Sequence, residues 1–460
     1  MNRIALTSLA LLAPLLVAAP AHAAGEACDG LAATIVVPVG DLAYPNNPYF
    51  TKSVTGTPGD DVIVGTALAD TIDGAGGNDV ICGLDGADDL TGGDGNDRLF
   101  GGLDGSVHGA SGNPQPGDLL RPGPGDDFVD LGVALDSERS FRNDQVRYDD
   151  SATAVTVDLT PVKGLGRATG EGTDTIVVAG PMTVVGSPFD DTVTGSPYDD
   201  LLMTDRGSDV VDGREGNDTI LPDIAGYDVM ETADPEGEGF ESPDTVYGGP
   251  GDDFISSKWG PLTADGGDGD DYVSISDIES LGNGTADGSH ISGGAGEDRL
   301  LAEFVRDLQV NGEDGDDEIH HSLDGRSGRS VISSGGSGND RVSLTTATGF
   351  APGAKVIVDR RTSRVATKHT LALTRLFEHH ALSGKKINWV YVGTPAKDDV
   401  TTRLGRSLRA TTFAGRDSVE GTSGPDRLDL GRGRDRADGS RGRDTCFSVE
   451  RAKSCEVRRR

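Results

Sequence analysis

Residues 56–100 read GTPGDDVIV, GTALADTID, GAGGNDVIC, GLDGADDLT, GGDGNDRLF, five nine-residue units with no gap between them. The sixth place is always aspartate (Asp61, Asp70, Asp79, Asp88, Asp97), and the eighth is always Ile or Leu (Ile63, Ile72, Ile81, Leu90, Leu99). A fixed period of this kind marks a solenoid, in which each unit covers the apolar face of its neighbour. Places seven to nine suffice only for a very short strand, with the aliphatic side chain pointing in and its neighbours out. The preceding six residues must reverse the chain, and glycine supplies the positive φ angles that such a turn demands. One unit is therefore a turn plus a strand, half of one coil.

The frame returns at Gly186 as GSPFDDTVT, GSPYDDLLM, TDRGSDVVD and GREGNDTIL, giving Asp191, Asp200, Asp209 and Asp218. Looser units starting at Gly248, Gly266, Gly293, Gly312 and Gly335 add Asp253, Asp271, Asp298, Asp317 and Asp340. Near the C-terminus, four more units keep Asp417, Asp426, Asp435 and Asp444 in frame but add Arg432, Arg434, Arg441 and Arg443. Those arginines are expected to pair with the aspartates in place of a cation, leaving few ions there.

Stacked coils bring identical aspartates together, which is repulsive without a counter-charge. One buried aliphatic side chain per unit also offers little against the entropy of ordering nine backbones. A hard divalent cation answers both demands, because it takes carboxylate and main-chain carbonyl oxygens. Calcium tolerates irregular glycine loops better than magnesium does, and zinc would want His or Cys, which the units lack.

The units resemble the G-G-x-G-x-D-x-U-x nonapeptide of the repeats-in-toxin (RTX), or haemolysin-type, calcium-binding family. Residues 157–176, VDLTPVKGLGRATGEGTDTI, are similar to the strand and turn segments that link such arrays. The resemblance implies an all-β, right-handed parallel β-roll with two units per coil and several Ca2+ ions between turns eighteen residues apart. It places Asp61, Asp79 and Asp97 on one edge and Asp70 and Asp88 on the other. In the second array, Asp209 stacks on Asp191 and Asp218 on Asp200, and Asp253, Asp271, Asp298, Asp317 and Asp340 complete the implied metal ligands. Leu68, Phe189 and Tyr198 depart from the pattern by replacing the fourth-place glycine.

The totals agree with a coil of turns. The chain has 460 residues, a formal charge of −35, 35% hydrophobic residues and 68 glycines, a glycine share about twice the average. Residues 1–354 hold 17 Lys+Arg against 63 Asp+Glu, whereas residues 355–460 hold 24 against 13. The acidic part repels nucleic acid and attracts cations. A basic start at Arg3, an apolar run from Ile4 to Val17 and Ala21-His22-Ala23 read as a cleaved secretory signal. No later segment is apolar enough to span a bilayer. Export also favours disulfides: three pairings of Cys28, Cys82, Cys446 and Cys455 are possible, and the local ones, Cys28 with Cys82 and Cys446 with Cys455, are expected to staple the two ends.

Little in the chain reads as catalytic. H-E-x-x-H, G-x-S-x-G and a Walker loop are absent. Glu378, His379 and His380 are adjacent on a predicted strand, where successive side chains face opposite ways. Paired acids such as Asp252-Asp253 and Asp270-Asp271 recur in frame, so turn and ion roles take precedence over a glycosidase dyad. Trp259 and Trp389 are too far apart in sequence to suggest a sugar platform.

The expected organisation is a signal peptide (1–23), an N-terminal cap (24–55), a first array (56–110), an interrupted solenoid (111–185) and a second array (186–221). Degenerate repeats (222–343), a basic repeat-poor β segment (344–411) and C-terminal repeats with a disulfide cap (412–460) follow. The functional expectation is a secreted, non-catalytic protein that folds on binding extracellular calcium. The alternatives are a surface adhesin or matrix protein, with cell-wall or matrix polymers as partners, and a hydrolytic enzyme acting on polysaccharide or another substrate.

Overall fold

A computed structural model describes residues 27–38, 52–103, 117–132, 144–223, 242–258, 260–276, 288–303, 308–323, 330–346, 355–359, 364–366, 371–375, 379–384 and 387–458. Residues 1–23, expected to be a signal peptide, and Trp259 and Glu378 lie outside the described residues. Among those described there is no helix long and apolar enough to cross a membrane.

The chain winds between two long sheets. Val62–Val64, Val80–Asp85, Arg98–Leu103 and Phe128–Asp130 follow one another in parallel on the first. Lys52–Thr55, Asp70–Asp73, Asp89–Thr91 and Leu119–Arg121 do so on the second. Pairing continues strand by strand through the second array and the looser repeats to Glu456–Arg458 and Arg451–Lys453. The described coils thus form one continuous β-roll solenoid. Each strand contributes its eighth-place side chain to a single core, where Ile63, Ile72, Ile81, Leu90 and Leu99 are fully buried.

Two excursions break the parallel order. Thr156–Val162, Leu165–Thr169 and Thr173–Val177 form an antiparallel meander within the first sheet, where the sequence suggested only linking strands. Its first corner is the pair Lys163 and Gly164, both at positive φ (60° and 79°), which suits a two-residue hairpin. A second meander, Lys355–Asp359, Arg364–Ala366 and Leu371–Arg375, lies in the basic segment. Beyond it, Trp389 and Tyr391 are the largest fully buried side chains, so Trp389 fills the core and offers no exposed ring.

Both disulfides join the local pairs, Cys28 to Cys82 and Cys446 to Cys455. The first ties the terminal hairpin Ala27–Cys28 and Leu31–Ala32 to the third strand of its sheet, Val80–Asp85. It closes a loop of 54 residues, for which chain entropy alone gives about 4 kcal/mol. Because solenoid coils contact mainly their neighbours, the double variant Cys28→Ser/Cys82→Ser should fray from the N-terminal coils. Hydrogen exchange should show lost protection around Ile63 and Ile81 with Leu408 and Leu428 unchanged; uniform loss would contradict this local account.

Candidate metal centre

Every described turn of the frame carries its sixth-place aspartate inward, beneath the neighbouring coil. Asp61, Asp79 and Asp97 form one column: the N–H of Asp61 donates to Asp79 Oδ1 (2.7 Å), and that of Asp79 to Asp97 Oδ1 (2.8 Å). Asp70 and Asp88 form the column on the opposite edge (2.8 Å). In the second array, Asp191 stacks under Asp209, and Asp200 under Asp218. The last column runs on through Asp253, Asp271, Asp298, Asp317 and Asp340. A second, exposed ladder lies beside it, in which fifth-place side chains such as Asp252 and Asp270 accept the N–H of the next coil's fifth residue.

The columns contain two kinds of turn. In the glycine-rich kind, the second and fourth places take positive φ, as at Ala75 (74°) and Gly77 (113°). The second-place N–H then turns away from the column, and Ala75 donates to Asp73 instead. In consequence Oδ2 of Asp79, Asp97, Asp218, Asp253, Asp271 and Asp298 is buried without a hydrogen-bond partner among the described residues. Burial pushes these carboxyl groups up, Asp79 and Asp97 to about 6, Asp253, Asp271 and Asp298 to about 7 and Asp218 to about 8. Neighbouring aspartates add to the shift.

The other kind starts Gly-Ser or Gly-Thr. The second-place N–H donates to the aspartate Oδ2 at Thr57, Thr66, Ser187, Ser196, Thr394 and Thr422 (2.6–2.9 Å). Hydroxyl groups add a further bond, as from Ser187 to Asp191 (2.6 Å) and from Ser196 to Asp200 (3.0 Å). Oδ2 of Asp61, Asp70, Asp191, Asp200, Asp398 and Asp426 is thereby satisfied within its own turn. The contrast shows along one column: Asp200 rises only to about 6 where Asp218, stacked on it, reaches about 8. Leu68, Phe189 and Tyr198 occur in this second kind, where the fourth place does not need positive φ.

Hard oxygen donors are what the open turns offer. A Cβ on Gly74 would lie 2.4 Å from both Asp79 Oδ2 and the Gly92 carbonyl oxygen, so the two oxygens crowd over the bare face of that glycine. Gly248 repeats this with Asp253 Oδ2 and the Gly266 carbonyl, both at 2.3 Å. No three His, Cys, Asp or Glu side chains converge among the described residues. A cation held here therefore draws on one or two aspartates and completes its shell from main-chain carbonyls, a donor set that fits calcium.

The sequence reading overlooked Asp118, Asp127 and Asp244, which continue the columns of Asp88, Asp97 and Asp209. Residues 122–130, PGPGDDFVD, carry the frame and would have revealed Asp127. It also expected C-terminal arginines to pair with the aspartates. Instead Arg432, Arg434, Arg441 and Arg443 are exposed, and Oδ2 of Asp417, Asp435 and Asp444 is without a hydrogen-bond partner among the described residues. Third- and fifth-place side chains leave the turn outward, while the sixth-place carboxylate is turned in, so the two do not meet.

Buried, half-satisfied aspartates stacked along the edges of a two-sheet solenoid define a cation-binding β-roll. Residues 55–90, 83–105, 185–220, 239–260 and 411–446 match the family model of the RTX calcium-binding nonapeptide repeat (4 copies). These segments are repeats of that family, and the chain carries calcium-binding repeats. No curated protein matches the chain.

The two turn chemistries predict opposite responses. Asp79→Asn with Asp97→Asn should lower calcium stoichiometry in isothermal titration. Ser187→Ala with Ser196→Ala should leave stoichiometry intact but lower stability by about 1.5–3 kcal/mol per lost bond to a charged group. Unchanged calcium binding in the aspartate variant would refute the assignment.

Proposed function

We propose that this is a secreted, non-catalytic calcium-binding protein whose coils become ordered as calcium fills the open aspartate columns. The observation that carries the reading is the buried Oδ2 of Asp79, Asp97, Asp218, Asp253, Asp271 and Asp298, repeated from coil to coil without a hydrogen-bond partner among the described residues. A carboxylate in that position is costly without a counter-charge. Outside the cell, where a signal such as residues 1–23 would deliver the chain, calcium is plentiful and sites of about 10⁻⁴–10⁻³ M suffice.

The residues that first suggested chemistry support a structural role. His380 is buried against the Tyr391 ring, while His379 faces outward between Asn339 and Asp399. Asp253 and Asp271 belong to the column, and Asp252 and Asp270 to the exposed ladder.

The reading makes two demands on the exported protein. Mass spectrometry of the chain recovered from the medium should find its N-terminus at Ala24, and trypsin should cut the arrays in chelator but spare them in calcium. A retained leader, or equal digestion in both buffers, would count against it. Turnover of a polysaccharide or ester abolished by a single acid substitution would favour the enzyme reading instead.

A further inference from the structure

Near the C-terminus the solenoid stacks charges of the opposite sign. Lys397, Arg416 and Arg434 hold the fifth place of three successive coils, a place held by Asp252, Asp270 and Glu297 before earlier strands of the same sheet. Arg416 and Arg434 follow the paired stretches Ala414–Gly415 and Arg432–Gly433 and so stand level on adjacent coils. Arg436 and Arg451 are in register on neighbouring strands. All five line one cavity of 690 Å³ together with Ser418, Asp417, Asp435 and Glu450.

The four arginines are exposed, and none has a carboxylate within ion-pair distance among the described residues. Like charges one coil apart, about 4.8 Å, repel unless an anion lies between them. We propose that this cleft binds a linear polyanion bearing repeated phosphodiester groups and no aromatic bases.

Guanidinium forks take two oxygens of one phosphoryl group, and a ladder of them suits a ligand whose charges also repeat. No aromatic side chain lines the cavity, so a nucleobase finds no stacking platform there. The excess of 63 acidic over 17 basic residues in 1–354 repels a polyanion along the rest of the solenoid, which confines contact to this end. Asp417 and Asp435 of the open column also line the cavity, and a phosphodiester, with a single charge, competes weakly for calcium held there. The site rests on the calcium reading only through the fold that calcium supports.

The test uses the mature chain in saturating calcium and a fluorescent poly(glycerol phosphate) oligomer, read by polarisation, with circular dichroism to establish that each variant is folded. The wild type should bind, with affinity falling as salt rises. Arg416→Gln/Arg434→Gln should weaken binding about ten-fold or more. Arg441→Gln/Arg443→Gln removes the same charge from the opposite edge and should change binding less than about two-fold. Absence of binding by folded wild type, or equal weakening in both folded variants, overturns the site. Tighter binding of an equally charged single-stranded oligonucleotide overturns the choice of ligand. Loss of the fold in calcium would instead indict the calcium reading.

Discussion

Each coil of this solenoid sets a buried aspartate directly above another. Period, strand length and glycine placement all serve to repeat that arrangement, and the resulting like-charge column is the term the fold must neutralise. Main-chain N–H groups supply part of the answer, since Oδ1 of Asp79, Asp97 and Asp271 accepts the amide of the coil before it. They leave Oδ2 open at Asp79, Asp97 and Asp253. A single aliphatic residue per strand, such as Ile81 or Leu99, gives a narrow core. On the proposed function, cation binding and coil formation are two sides of one equilibrium.

The Gly-Ser and Gly-Thr turns show how the chain meets the same need without an ion. Those whose second-place amide reaches the aspartate come first in their columns, at Asp61 and Asp70, at Asp191 and Asp200, and at Asp398 and Asp426, whereas the Gly439-Ser440 turn of Asp444 is open. Oδ2 of the first aspartate in each column is thus closed by an amide of its own turn, and later coils stack on it with open carboxylates. On the proposed function, this gives each column a closed base from which ion-dependent coils extend. At the C-terminal end, Lys397, Arg416 and Arg434 place positive charge in a position held elsewhere by acids such as Asp252 or by neutral residues such as Asn78, so one frame carries ion sites of both signs.

Much of this was legible in the sequence because the frame is repetitive. The nine-residue period fixes which residue faces the core and which faces the column, so Ile63 and Asp61 could be assigned before any coordinates. Where insertions interrupt the frame, as before Asp118 and Asp244, the spacing no longer identifies the ligand, although the column continues. The meander at Thr156–Val162 depends on a local turn at Lys163 and Gly164 that no period announces. The contrast between Ala75 and Ser187 was hidden for another reason: both occupy the second place, and only the backbone shows whether the amide points at the aspartate or away.

The order of the whole solenoid turns on whether the aspartate columns need a counter-ion. The most direct measurement is far-ultraviolet circular dichroism of residues 24–460 during a calcium titration, with magnesium as control. Conversion from a disordered spectrum to β-structure with calcium, and little change with magnesium, is the predicted result. A chain already in β-structure in chelator, unchanged by calcium, would contradict it and would mean that the stacked aspartates are neutralised by protons or by the protein's own donors.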